Sequence, residues 1–226
     1  YYAKTIAEQI DIKGTLKSVE PGNPWKYEGV KVSYFGGQTG LGASTSHFSV
    51  ADDHGNIVAC TNTHNYAAGF VPKYGIVINN EMDDFSDNPQ SANAPEQRKR
   101  MLSSMAPTII LTPDGKPFMT IGSAGGWRIL TALTQIISNV IDYDMSMAEA
   151  INYPRLFTYS SAGKPAAYIV EDKMPASTLR KLEILGEKTD VRQYGDYFGT
   201  AQGILYKHGQ MNGGADSRRL GVPVGF

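Results

Sequence analysis

Thr45-Ser46-His47-Phe48-Ser49-Val50 decides how this chain is read, because an ordered strand begins there abruptly. A threonine at the head of an alternating run suits the pleated backbone. The approach to it, Gly36-Gly37-Gln38-Thr39-Gly40-Leu41-Gly42-Ala43-Ser44, is a loose stretch of small and polar residues. On the far side, Asp53-His54-Gly55-Asn56 is a turn sequence and Ile57-Val58-Ala59-Cys60-Thr61 returns as a second strand, which predicts a β-hairpin. Two more hairpins are expected. One joins residues 108–111 to 118–121 through Pro113-Asp114-Gly115-Lys116, and the other follows Gly203-Ile204-Leu205-Tyr206. Ile129, Leu133, Ile136, Ile137 and Val140 recur at helical spacing between about Gly126 and Tyr143. A second helix is expected from about Pro175, with Leu179, Leu182 and Leu185, ending at Gly186. Hairpins grouped around two helices predict an α+β layered domain, with antiparallel sheet packed under helices.

Composition bounds the function. The 226 residues suffice for one domain with a sizeable core. Net charge is −1, and basic residues are scattered apart from Arg98-Lys99-Arg100, so there is no electrostatic footprint for nucleic acid. The single cysteine excludes an intrachain disulfide and cysteine-rich metal sites. No apolar run is long enough to span a membrane, since Thr131, Thr134, Gln135, Ser138 and Asn139 interrupt the most apolar helix. The opening Tyr1-Tyr2-Ala3-Lys4-Thr5-Ile6-Ala7 reads as the middle of an amphipathic helix, and residues 11–44 as a mobile segment rich in Gly, Pro and Ser.

Several groups carry possible chemistry. Thr63 and Asn65 lie beyond the first hairpin, where Thr63 can face Thr45 across neighbouring strands; threonines paired in this way also serve stability alone. Asn79-Asn80-Glu81-Met82-Asp83-Asp84-Phe85 sets two amides and three carboxylates after the apolar run Ile76-Val77-Ile78. A solvated acidic turn is one reading; an EF-hand is disfavoured, because the spacing lacks alternating ligands and a central glycine. Ser103 and Ser104 precede a strand, where hydroxyl pairs often make turns. Gly125-Gly126 opens the long helix, either as a simple turn or as backbone donors for an oxyanion. No Lys-Ser/Thr follows, so a nucleotide P-loop is disfavoured. Among the histidines, His54 and His208 are expected in exposed turns and His47 in packing. His64 is expected on the strand face opposite Thr63 and Asn65. No histidine pair has metal-ligand spacing, and neither cofactor nor metal is expected.

In this order, Thr45, Thr63-His64-Asn65, the acidic turn, Leu102-Ser103-Ser104-Met105 and Gly122-Ser123-Ala124-Gly125-Gly126 resemble the catalytic subunit of the γ-glutamyltranspeptidase family. The resemblance implies a four-layer αββα sandwich of the N-terminal-nucleophile hydrolase type. It implies self-cleavage between Ser44 and Thr45, after which Thr45 is the nucleophile and its freed α-amino group the base. Residues 1–44 then correspond to the tail of a large subunit with a flexible pre-cleavage segment, and residues 45–226 to the small catalytic subunit. By the same resemblance Thr63 orients Thr45, and Gly125 and Gly126 form the oxyanion hole. Asn65, Glu81 and Asp84 hold the substrate α-ammonium; Ser103 and Ser104 hold its α-carboxylate. Met101 and Ala124 stand where the family usually has proline, which bears on loop rigidity and removes no side-chain donor. The implied partners are a small γ-glutamyl substrate such as glutathione and a large subunit from the same precursor, in a periplasmic or extracellular setting. The short connection from Phe85 to Met101, where many relatives carry a longer lid, raises a poly-γ-glutamate depolymerase or capsule transpeptidase as an alternative. A glutaryl (cephalosporin) acylase and an inactive fragment or binding module are further alternatives.

Overall fold

The computed structural model describes residues 2–8, 10, 45–65, 67–158, 160–161, 164–165, 167–195, 197–219 and 221–225. The expected pre-cleavage segment, residues 11–44, lies outside the described residues. In chain order the elements begin with α1 (Tyr2–Ala7), β1 (Ser46–Ala51), β2 (Ile57–Asn62), β3 (Ala67–Val71) and β4 (Ile76–Asn79). A 3-10 turn (Glu81–Asp84) leads to β5 (Thr108–Leu111), β6 (Pro117–Ser123), α2 (Arg128–Ile141) and α3 (Met147–Asn152). Then come β7 (Leu156–Phe157), β8 (Ser160–Ser161), β9 (Lys164–Pro165), β10 (Tyr168–Glu171), α4 (Ala176–Ile184), β11 (Thr189–Arg192), β12 (Ala201–Lys207) and β13 (Gln210–Ala215).

The central sheet runs β13-β12-β6-β5, antiparallel throughout. Alternation on β6 assigns its two faces. Met119 and Ile121 point to the helices, where they join Ile129, Leu133, Ile136, Met147 and Ile151 in the main core. Thr120 and Gly122 point the other way, to the β1–β2 hairpin, with the Thr120 hydroxyl donating to the Val58 carbonyl at 3.1 Å. Both faces of β6 are therefore covered, and residues 119–123 are all buried. The layering is α2 and α3, then the four-stranded sheet, then the β1–β2 hairpin.

Local signals explain the edges of these elements. Ile129, Ala132, Leu133, Ile136 and Val140 form the buried stripe of α2. Ser146 caps α3 in a capping box: its hydroxyl accepts from the Glu149 N–H, while the Glu149 carboxylate accepts from the Ser146 N–H at 2.9 Å. One pair departs from the antiparallel expectation. β10 and β11 are parallel, because α4 carries the chain back over the sheet between them.

Both hairpins carry exposed apolar side chains. Phe48, Val50 and Val58 on β1–β2, and Phe70, Ile76, Val77 and Ile78 on β3–β4, are each at least 45% exposed. No helix among the described residues is long and apolar enough to cross a membrane.

Candidate active site

Thr45 stands at the head of β1 with its side chain buried. The β1–β2 register pairs Ser46 with Asn62, which carries Thr63 opposite Thr45. The Thr45 hydroxyl donates to Thr63 Oγ1 at 3.1 Å, and the same oxygen accepts the Asn65 N–H at 2.8 Å. β2 has ended by then, and Asn65 turns the chain with φ of 57°, a left-handed conformation that asparagine tolerates. The strand reading of His64 therefore fails, because residues 63–65 form a corner held by the Thr63 hydroxyl.

That corner is tied to the acidic turn. The Asn80 N–H donates to the His64 carbonyl at 3.2 Å, and Asn65 Nδ2 reaches Asp84 Oδ1 at a long 3.5 Å. Burial, then the neighbouring Asp83, raises the pKa of the Asp84 carboxyl above its ordinary value. Burial, then Asp84, likewise raises that of Glu81, with His64 acting in the opposite sense. Glu81 Oε1 and His64 Nδ1 are buried without a hydrogen-bond partner among the described residues.

Thr45, Thr63, Asn65, Asp84, Ser103 and Ser104 line one open recess. Gly126 and Trp127 close it at the start of α2. Two sequence-derived candidates do not line it: Glu81 stands at the other end of the acidic turn from Asp84, and Gly125 lies buried beside Gly126. Gly125 and Gly126 have φ of 137° and 57°. Their carbonyls accept from the N–H groups of Arg128 and Ile129, whereas neither of their own N–H groups meets an acceptor among the described residues. Such N–H groups at a helix start can stabilise developing negative charge on an oxygen.

A buried charge cluster stands behind this loop. Arg155, Glu171 and Asp216 are essentially inaccessible. Arg155 donates to Asp216 at 2.7 Å, and Arg218 bonds both Glu171 and Asp216. Arg155 Nη1 also donates to the Gly199 carbonyl at 2.9 Å, and Asp216 Oδ2 accepts the Ala201 N–H at 2.9 Å. Between these anchors Thr200 exchanges two backbone hydrogen bonds with Ala124, at 2.8 and 3.1 Å. The cluster thus fixes the strand against which the Gly125-Gly126 loop rests.

His47 is buried, hydrogen-bonded to Thr61 and Ser49, and burial lowers its pKa to about 4. It is a neutral packing group. His54 and His208 are exposed in turns. At the β1–β2 turn Asp52, Asp53 and His54 come close together, but the Asp52 carboxylate is already engaged by the N–H groups of His54 and Asn56. Sequence reasoning missed Trp127, Asn93 and the charge cluster. Trp127 follows the paired glycines directly and could have been flagged; Asn93 bonds Asp84 and Leu102 within an irregular connection that has no periodic pattern, and the charge cluster joins segments far apart in the chain.

The layered architecture, with a threonine heading a strand above a central sheet, is that of the N-terminal-nucleophile hydrolases. The family model described as gamma-glutamyltranspeptidase matches residues 1–226, and the chain belongs to that family. It is 36% identical over 233 residues to a glutathione hydrolase proenzyme of Bacillus subtilis (strain 168), covering 100% of this chain and 38% of that protein. It is 38% identical over 235 residues to the Escherichia coli (strain K12) glutathione hydrolase proenzyme, covering 97% of this chain and 37% of that one. The crystal structure of a mutant Helicobacter pylori gamma-glutamyltranspeptidase superposes with a TM-score of 0.68 at 37% identity, covering 76% of this chain and 99% of that one. The chain therefore spans well under half the length of these curated relatives.

Proposed function

We propose that the full-length protein cleaves itself between Ser44 and Thr45 and then transfers or hydrolyses γ-glutamyl groups from small amides such as glutathione. In the first step Thr45 Oγ1 attacks the Ser44 carbonyl and the peptide nitrogen leaves, giving an ester that water opens. The products are a Ser44 carboxylate and a free α-amino group on Thr45. That amine, with a reference pKa of about 8, is the base a threonine hydroxyl needs. In turnover Thr45 Oγ1 attacks the γ-carbonyl and its proton passes to the α-amine. The N–H groups of Gly125 and Gly126 hold the oxyanion, and the leaving amine departs with that proton. Water or an amino acid then takes the γ-glutamyl group from the ester. Asp84, with Asn65, provides acceptors for the donor's α-ammonium at the recess, Glu81 adds carboxylate charge beside Asp84 without lining it, and the Ser103 and Ser104 hydroxyls provide donors for its α-carboxylate.

The observation that carries this reading is the Thr45–Thr63 hydroxyl contact at 3.1 Å, opening onto a recess that also holds Asp84, Ser103 and Ser104. The missing length relative to the relatives would supply a large subunit, which the exposed apolar faces of the two hairpins are suited to meet. A periplasmic or extracellular location belongs to the same proposal. Release of p-nitroaniline from γ-glutamyl-p-nitroanilide by the full-length protein, abolished by Thr45→Ala, tests it; no release from the unaltered protein would refute it.

One observation favours larger donors. None of residues 85–101 lines the recess, so this connection does not wall it. Tri- and tetra-γ-glutamate should therefore compete with small γ-glutamyl amides, and a failure to compete would restrict the enzyme to glutathione-sized donors. A glutaryl acylase is disfavoured, since it would have no use for a carboxylate and two hydroxyls placed around an α-amino acid.

A further inference from the structure

Asn93 sits in the middle of the 85–101 connection, away from the recess, and is 8% exposed. Its side-chain amide is used at both ends. Nδ2 donates to the Asp84 carbonyl at 2.7 Å, and Oδ1 accepts the Leu102 N–H at 2.9 Å. Its backbone is held as well: the Asn93 carbonyl accepts the Ser86 N–H at 3.0 Å, and the Asn93 N–H donates to Ser91 Oγ at 3.1 Å. Phe85 and Ala94, the neighbours of this staple, are buried. One amide therefore joins the residue bearing the recess carboxylate to the residue just before Ser103 and Ser104.

We infer that Asn93 is a positioning residue that sets the spacing between Asp84 and the Ser103–Ser104 pair, and hence the preference for donors with a free α-amino acid end. The inference rests on the proposed γ-glutamyl reading. A single α-carbon separates the ammonium and carboxylate of such a donor, so the groups that receive them must keep a fixed distance. The primary amide carries its donor and its acceptor on separate atoms, which lets one side chain reach both partners; aspartate keeps the acceptor and loses the donor, and alanine loses both. Misplacement of a binding group by a fraction of an ångström to an ångström weakens binding that depends on it while sparing chemistry that does not.

The test uses full-length protein, with Asn93→Asp and Asn93→Ala measured against γ-glutamyl-p-nitroanilide and glutaryl-p-nitroanilide, which lacks the α-amino group. Both variants lose the bond to the Asp84 carbonyl and should raise KM for the γ-glutamyl donor about ten- to a hundredfold, the order expected when a buried polar group is left without its partner. Their kcat should change little, and turnover of the glutaryl donor should be nearly unaltered, so that the preference between donors collapses. An unchanged KM, or an equal loss on both donors, would overturn the assignment. Failure of both variants to fold would also overturn it, leaving Asn93 a scaffold residue. Absence of γ-glutamyl turnover in the unaltered protein would instead remove the underlying reading.

Discussion

Asp84 is asked to be ionised when a donor's ammonium arrives, yet burial and Asp83 both favour its neutral form. The binding consequence has a definite sign. The anion attracts the ammonium, so affinity is retained above the raised pKa and lost as pH falls through it. That loss should begin above the ordinary aspartate value of about 4. The inhibition constant of L-glutamate, measured against pH, should rise on that limb in the unaltered protein. Asp84→Asn should weaken glutamate by about 2–5 kcal/mol, as for removal of one partner of a desolvated charge pair. It should also flatten the limb. Tight, pH-independent glutamate binding by Asp84→Asn would place the ammonium elsewhere.

At the scale of elements, the seat of Thr45 depends on two close approaches. A Cβ at Gly122 would overlap the imidazole of His47, so β1 can lie against β6 only because residue 122 has no side chain. Gly122→Ala should push β1 away and impair both maturation and turnover; normal activity would show that Thr45 is seated independently of β6. The second is Gly199 against Ala124 and Gly125, held by the Arg155–Asp216 pair. Asp216→Ala leaves a buried guanidinium uncompensated and should destabilise the fold by about 3–5 kcal/mol, read as a fall in denaturation midpoint. A midpoint near that of the unaltered protein would mean that Arg155 finds another partner. These dependences mark the limit of what the sequence reveals. The hairpins at 46–62, 108–123 and 201–215 and the helices α2 and α4 were legible, because alternation, turn residues and helical spacing are local patterns. So was the Thr45–Thr63 pairing, which follows from hairpin register. The short α3 was missed although Ser146 and Glu149 spell a local capping box, whereas the β10–β11 pair and the four-residue charge cluster arise from contacts between separate segments and leave no local pattern. The strand assignment of His64 failed for a local reason: a threonine hydroxyl captured the Asn65 N–H and bent the backbone.

At the scale of the whole molecule, Phe48, Val50, Phe70 and Ile76–Ile78 leave several large apolar side chains exposed on the two hairpins, the kind of exposure that marks a contact surface. In the proposed heterodimer this surface is covered. Ile78→Asp in the full-length protein should therefore weaken association of the two subunits, measured by their co-elution in size-exclusion chromatography. Undiminished co-elution would place the interface elsewhere. The central claim is that Thr45 is the nucleophile of both maturation and turnover, and intact-mass measurement of the full-length protein tests it most directly. We predict two polypeptides divided between Ser44 and Thr45, and a single uncut polypeptide for Thr45→Ala. One uncut species from the unaltered protein, or efficient cleavage of the alanine variant at the same bond, would contradict it.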